Sequence, residues 1–240
     1  MPAAHRPRTS KPSLSAEGIK QVAWRQLAEQ GSSGLSLRAI GRELGVTAPA
    51  LYNYFPRLDD LITALVVDAF GESGRWMIDA GNAAAAQSGH AVPAIEAMLL
   101  AYRDWAVTWP ARFALIYGNP IPGYEAPAEI TVPLAARPFL ALMERLAEAY
   151  AQGEIGIPPE FSPAPPATDA LLRAAYPDLA ARAPSELACV LFDSWARMHG
   201  LVFLELYGHI APVTGDTAAY YRYEVRLLLQ RLVDSRPAAR

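Results

Sequence analysis

An all-α fold is predicted by three features of the chain. Apolar residues recur at helical spacing from about residue 15 to residue 235, and no segment shows the alternation of a half-buried strand. Ser15, Ser36 and Thr47 stand just ahead of apolar runs, where their hydroxyls can cap exposed amides. Glycine or proline punctuates the ends of those runs. The expected architecture is an N-terminal three-helix helix-turn-helix unit followed by a larger helical bundle.

Ser15 opens a first helix with Ile19, Val22, Ala23 and Leu27 on one face, ending near Gly31. Ser36 opens a short second helix carrying Leu37, Ile40 and Leu44, stopped by Gly45. Thr47 caps a third, with Pro49 in its first turn, where amide groups lack intrahelical acceptors anyway. A longer helix starts near Leu58 and runs to the alanines at 83–86, and Gly89–Pro93 breaks the chain. Further helices are expected at about 93–109, 110–118, 131–152, 169–181, 185–209 and 216–235. Residues 119–127 read as a loop. The five prolines of 153–168 exclude helix and central strand, leaving a long loop that is either a lid over a binding site or simply mobile.

Composition excludes several classes of protein. With 240 residues, 52% of them hydrophobic and 19% charged, the chain is too apolar for intrinsic disorder. No apolar run approaches the roughly 18 residues of a membrane span, and the N-terminus has no apolar signal core. A cytoplasmic protein with no membrane partner is expected. The single cysteine, Cys189, excludes an intrachain disulfide framework and a multi-cysteine zinc site, and it reads as an inert buried thiol. The chain shows no nucleophile elbow, HExxH, phosphate-binding glycine loop or Cys/His cluster, so neither an enzyme nor a cofactor is expected. The net charge of −3 hides an asymmetry. Residues 1–58 carry +5 and the remaining 182 carry −8, which points to an anion-binding N-terminal end.

The most informative stretch is Ser36–Leu61, SLRAIGRELGVTAPALYNYFPRLDDL. Two short helices joined through Gly45-Val46 make a helix-turn-helix, in which the second helix enters the DNA major groove. The pattern resembles the TetR family of bacterial transcriptional regulators. The match rests on Ser36-Leu37, Ile40, Leu44-Gly45-Val46, Leu51-Tyr52, Tyr54-Phe55 and the Asp59/Asp60-Leu61 entry to the long helix. The resemblance implies a flexible basic arm at 1–13 (Arg6, Arg8, Lys11), a DNA-binding domain at 14–72, and an effector-binding and dimerisation domain at 73–240. Thr47, Ala48, Pro49 and Ala50 are then the base readers, with Asn53 one turn on; apolar atoms suit thymine methyls and Asn53 suits adenine. Arg38 matches a family position that reaches guanine, where its guanidinium suits the O6 and N7 acceptors. Tyr52 and Tyr54 match phosphate-contacting positions. Leu58 stands where the family commonly carries a phosphate-gripping lysine, and the adjacent Arg57 is the candidate substitute.

The run Ser194–Leu206, with Trp195, His199 and Gly200, resembles the WHG type of C-terminal domain in that family. Gly200 inside a helix costs around 1 kcal/mol relative to alanine, which close approach of another helix would explain. The stripes Leu191, Trp195, Met198, Val202, Leu206 and Val225, Leu228, Leu229, Leu232 read as the face of a twofold homodimer. Tyr102, Trp105 and Trp109 follow helical spacing, with Phe113 and Tyr117 beyond; this is a core pattern or the wall of an effector pocket, which Phe139, Met143, Trp195 and His199 would complete. Asn119, Tyr124, Arg103 and Asp104 are the possible polar anchors. The resulting expectation is a ligand-responsive repressor, a homodimer released from a palindromic operator in double-stranded DNA by a small-molecule effector. The alternative keeps the fold but regulates without an effector, or through a protein partner.

Overall fold

Capping decides where the N-terminal helices start. In the computed structural model, which describes residues 14–237, Ser15 Oγ accepts from the Gly18 amide at 3.0 Å and opens α1, Ala16–Gln30. Ser36 does the same for α2, Leu37–Leu44, accepting from Ala39 N at 3.1 Å. Gly45 closes α2 in the left-handed region, with φ 72° and ψ 28°. Its amide bonds the Arg42 carbonyl and the Val46 amide bonds the Gly41 carbonyl, the paired closure that satisfies the last acceptors of a helix. Thr47 departs from expectation: it occupies the capping position of α3, Ala48–Tyr52, in extended backbone, but its side chain makes no capping hydrogen bond. The basic arm at 1–13 lies outside the described residues.

The long helix α4, Leu58–Ser88, carries Asp59 and Asp60 in its first turn, where acids favour the positive end of the helix dipole. It contributes to both of the compact units into which the chain divides. One unit comprises residues up to Ala69 together with Pro110–Thr131. Its core is Ile19, Val22, Ala23, Ile40, Leu51, Leu61 and Leu65, all buried. The return of 110–131 was not visible in the sequence. There α6, Pro110–Tyr117, packs on α1 with Phe113 buried and Arg112 over the Trp24 ring at 5.1 Å, and the Tyr124 and Thr63 hydroxyls meet at 3.0 Å.

The second unit holds Phe70–Trp109 and everything from Val132. Its helices are the latter part of α4, α5 (Ala91–Thr108), α7 (Ala128–Ala151, begun in the first unit), α8 (Pro166–Ala175), α9 (Pro177–Ala180), α10 (Glu186–Leu206), α11 (Ala211–Thr214) and α12 (Thr217–Asp234). Glu154 caps α5 from outside, accepting from Val92 N at 2.9 Å, Ala91 N at 3.1 Å and the His90 ring at 2.9 Å. Pro133 and Pro138 sit inside α7, where each lacks the amide for one intrahelical bond.

The proline-rich segment differs from the long loop expected of it. Ile155 is buried, and Gly156 donates to the Leu232 carbonyl at 2.8 Å, so near α12 that a β-carbon there would lie 1.8 Å from the Ser235 oxygen. Residues Pro159–Phe161 form a 3-10 turn held by Arg231, which pairs with Glu160 and lies over the Phe161 ring at 5.1 Å. The helix expected at 169–181 begins earlier, at Pro166, because proline is tolerated in a first turn. It then divides at Tyr176 (φ −140°, ψ 63°), since the residue before Pro177 is barred from helical geometry.

The stripes read as a dimer face need correction. Leu191, Met198, Val202, Val225, Leu228, Leu229 and Leu232 are buried within this one chain, where α10 and α12 pack on each other and on α5. Helical spacing reveals an apolar face but not which neighbour covers it. α10, 21 residues long, is also long and apolar enough to cross a membrane, contrary to the reading of the sequence. Its buried stripe and its charged partners, Arg103 with Glu205 and Arg197 with Glu224, make it a core helix of this bundle.

Candidate functional site

Packing of the helix-turn-helix determines which side chains face outward. Leu37, Ile40, Leu51 and Phe55 point into the core, so the residues between them are presented to solvent. Arg38, Thr47, Pro49, Tyr52, Asn53, Tyr54 and Arg57 are exposed and Ala50 is half-buried. Ala48 belongs to α3, but its side chain is outside the described ones. The face is small-residue at its centre, so a duplex can approach α3 closely, with an arginine on α2 and two tyrosines at the edges.

Among the described residues of this unit Arg38 and Arg42 form no ion pair, whereas Lys20, Arg25, Arg57 and Arg112 are engaged. Lys20 bonds Asp68 at 2.6 Å and Glu17 at 3.0 Å, and Arg25 pairs with Glu43. Glu43 also accepts from Gln26 Nε2 at 3.0 Å. Gln26 is only 4% exposed, so this contact ties α1 to α2 beneath the reading face; its Oε1 is buried without a partner. The reading of the sequence missed this tie. Its one trace was an acid, Glu43, beside Arg42 on the helix-turn-helix.

Two of the expected phosphate contacts are already occupied. Arg57 grips Asp60 through its backbone amide at 2.9 Å and through Nη2 at 2.9 Å. That contact holds the guanidinium above its ordinary range and the Asp60 carboxyl below its own. A phosphate must therefore compete with Asp60 for Arg57. The Tyr54 hydroxyl donates to the Leu14 carbonyl at 3.3 Å, which spends its single proton. Tyr52 is exposed.

In the second unit the residues expected to form a pocket separate into groups. Tyr102, Phe139, Trp195 and His199 come together: Tyr102 Oη and His199 Nδ1 are 2.7 Å apart, Trp195 stacks on His199 at 5.2 Å, and Phe139 meets Trp195 edge-on at 4.3 Å. Burial pushes the His199 pKa down, keeping the imidazole neutral near pH 7. Trp105 is fully buried, with its indole N–H on Glu72 at 3.2 Å. Trp109 lies exposed just beyond α5. Phe113 and Tyr117 belong to α6 in the other unit, where their rings pack at 5.2 Å and burial raises the Tyr117 pKa.

Three of the polar anchors, Arg103, Asp104 and Tyr124, are likewise engaged, and Asn119 is exposed. Arg103 donates to Glu205 at 2.7 and 2.5 Å and reaches Asp104 at 3.3 Å, while Thr217 donates to the same Glu205 at 2.6 Å. Burial disfavours the Glu205 anion, but the bonds from Arg103 and Thr217 outweigh it and hold that carboxyl below its usual range. Tyr124 is bound to Thr63. Cys189 is half-buried rather than buried, and partial burial raises its pKa. Among the described residues no cluster of three or more His, Cys, Asp or Glu is placed to hold a metal.

Phe139, Met143 and Trp195 also line an apolar groove of about 310 Å³ between α7, α8–α9 and α10. Leu172, Tyr176 and Leu179 form one wall and Leu191 and Phe192 the opposite side. Pro177, which breaks the helix here, was the available sequence signal for that wall.

Comparison with known proteins places the two units in a common context. Residues 19–65 match the family of bacterial regulatory proteins named for tetR, and residues 95–228 match the tetracyclin repressor-like C-terminal domain. HTH-type transcriptional regulators of Mycobacterium tuberculosis and Mycobacterium bovis are 33% identical over 217 residues, covering 90% of this chain and 91% of theirs. The solved structure of SCO4313 is 36% identical, with a TM-score of 0.67 over 90% of this chain and 95% of that one. A regulatory protein of the tetR family from Rhodococcus RHA1 shares the fold at 15% identity, with a TM-score of 0.59 over 93% and 98% of the two chains. With an exposed helix-turn-helix face on one unit and a helical C-terminal domain in the other, the chain belongs to the TetR family of transcriptional regulators, DNA-binding transcription factors rather than enzymes.

Proposed function

We infer that the protein is a ligand-responsive repressor, acting in the cytoplasm as a homodimer on a palindromic operator and released from it by a small molecule. The course of residues 110–131 carries this reading. That segment is bonded at both ends to the second unit, through Trp109 and Val132, while its body is fixed to the reading head by Arg112 on Trp24 and Tyr124 on Thr63. A ligand that shifts the end of α5 or the start of α7 therefore pulls on α1, against which α2 packs. Typical coupling of about 1–3 kcal/mol weakens operator binding about 5–150-fold.

On DNA, Thr47, Ala48, Pro49 and Ala50 lie against base edges, Asn53 and Arg38 read adenine and guanine, and Tyr52 fixes register on phosphate. Tyr54 and Arg57 join once Leu14 and Asp60 are displaced. The dimer face is the exposed side of α10 and α12 rather than their buried stripes. Ala196, Gly200 and Leu204 form one i, i+4 ridge on α10, and Tyr223 and Leu227 lie exposed on α12. Within the chain nothing lies within 4 Å of a β-carbon built on Gly200, so the close helix approach suited to that glycine comes from a second copy.

Operator titrations with a panel of small molecules test the coupling. A releasing compound is expected for the parent protein, with its effect reduced at least threefold in Arg112→Ala and Tyr124→Phe while ligand-free operator affinity stays within threefold. Affinity unmoved by every compound would instead favour regulation without an effector or through a protein partner.

A further inference from the structure

We propose that the effector site is the groove between α7, α8–α9 and α10, and that its occupant is a compact, uncharged apolar or aromatic molecule; this rests on the reading of the chain as ligand-responsive. The Tyr102–His199 cluster is a poorer site because its own side chains fill it. Tyr102 is fully buried, its hydroxyl and His199 Nδ1 bond each other, and the Trp195 ring stacks on His199. The groove is open space of about 310 Å³, at the lower end of the range for small-molecule sites. Met143, Leu179 and Leu191 are buried beneath it, while Tyr176 (40% exposed) and Phe192 (65% exposed) stand at its rim.

The chemistry of the lining selects the ligand. The only side-chain oxygen and nitrogen among the lining residues are the Tyr176 hydroxyl and the Trp195 indole. An anion or cation entering the groove loses hydration and finds no opposite charge on its walls, whereas an apolar ring loses only unfavourable contact with water. One or two polar atoms on the ligand are accommodated by Tyr176 and Trp195. Trp195 connects the groove to the cluster: it lines the cavity and stacks on His199, whose ring bonds Tyr102 on α5. A ligand that displaces the Trp195 ring therefore acts on α5, the helix that continues into α6.

The test titrates the full-length protein with N-phenyl-1-naphthylamine, a neutral dye whose emission rises in apolar surroundings. One saturable site per chain is expected, with displacement by naphthalene at least tenfold more effective than by 2-naphthoate or 2-naphthylmethylammonium. Ala136→Trp fills the groove and Leu172→Glu puts a carboxylate in its wall; each is expected to weaken dye binding at least tenfold with helical content and sedimentation unchanged. Absence of a saturable site, equal displacement by the charged analogues, or parental affinity in both variants overturns the proposal. Loss of dye binding on dimerisation marks the groove as an interface between copies and overturns it equally. Dye binding as expected with operator affinity unchanged leaves the site standing and overturns the ligand-responsive reading. Operator release by a compound that neither displaces the dye nor responds to either substitution does the reverse.

Discussion

Gly45 shows how much one residue can decide. Its φ of 72° suits a glycine, and a β-carbon there meets nothing within 4 Å, so Gly45→Ala carries a backbone penalty without a steric one. A loss of about 1 kcal/mol is expected in urea unfolding, and a substantially larger loss would mean that the turn packs against more than its own chain. This turn was legible in the sequence because glycine at the end of a helix has a direct backbone meaning. The fate of Arg57 was not legible, because ion-pair choice depends on rotamers and on the carboxylate three residues on. Because Asp60 holds Arg57, Leu58→Lys is expected to add a phosphate contact on DNA. The slope of log K against log salt for operator binding should steepen by about 0.9; an unchanged slope would show that this position does not face the backbone.

Among the elements, the helices of the N-terminal unit were legible because caps, stops and apolar spacing agree there. Ser15, Ser36 and Gly45 act as their residue types predict. The elements between 153 and 185 were less so. The prolines of 153–168 suggest loop, yet Pro166 starts a helix, and the helix expected at 169–181 is divided before Pro177. The Glu205 contact that fastens α5 to α10 and the start of α12 was also hidden, since it joins residues 102 apart in sequence. Both charged side chains are only 12% exposed, so Glu205→Gln is expected to cost about 2–4 kcal/mol of stability. Because the folded carboxyl titrates below its ordinary value of 4.5, its contribution is full above that pH and is lost as pH falls through the lower folded-state value. Unfolding midpoints measured from pH 7 to pH 3 should therefore fall more steeply for the parent than for Glu205→Gln; parallel curves would remove Glu205 from the acid response.

For the whole molecule, the averages of composition were the least informative guide. A net charge of −3 combines a basic reading head with an acidic remainder. The apolar stripes of α10 and α12 read in the sequence are the chain's own core, because helical spacing marks an apolar face without naming the neighbour that covers it. If the opposite side pairs two copies, Leu204→Glu with Leu227→Glu should yield a well-folded monomer by sedimentation. Its operator affinity should fall by about 10²–10⁴-fold as the two reading heads cease to bind as one. A double variant that remains dimeric would move the interface elsewhere.

Two reading heads acting together on a symmetric site need half-sites at least one helical turn, about 34–36 Å, apart. Sedimentation of the protein with a labelled palindromic duplex from its own upstream region, against a scrambled duplex of equal length and across a salt series, tests this joint binding most directly. Two chains per palindrome are expected, with preference over the scrambled duplex and affinity that falls steeply with salt and loses discrimination at one base pair in Arg38→Ala. One chain per duplex, with equal affinity for both sequences, would contradict it.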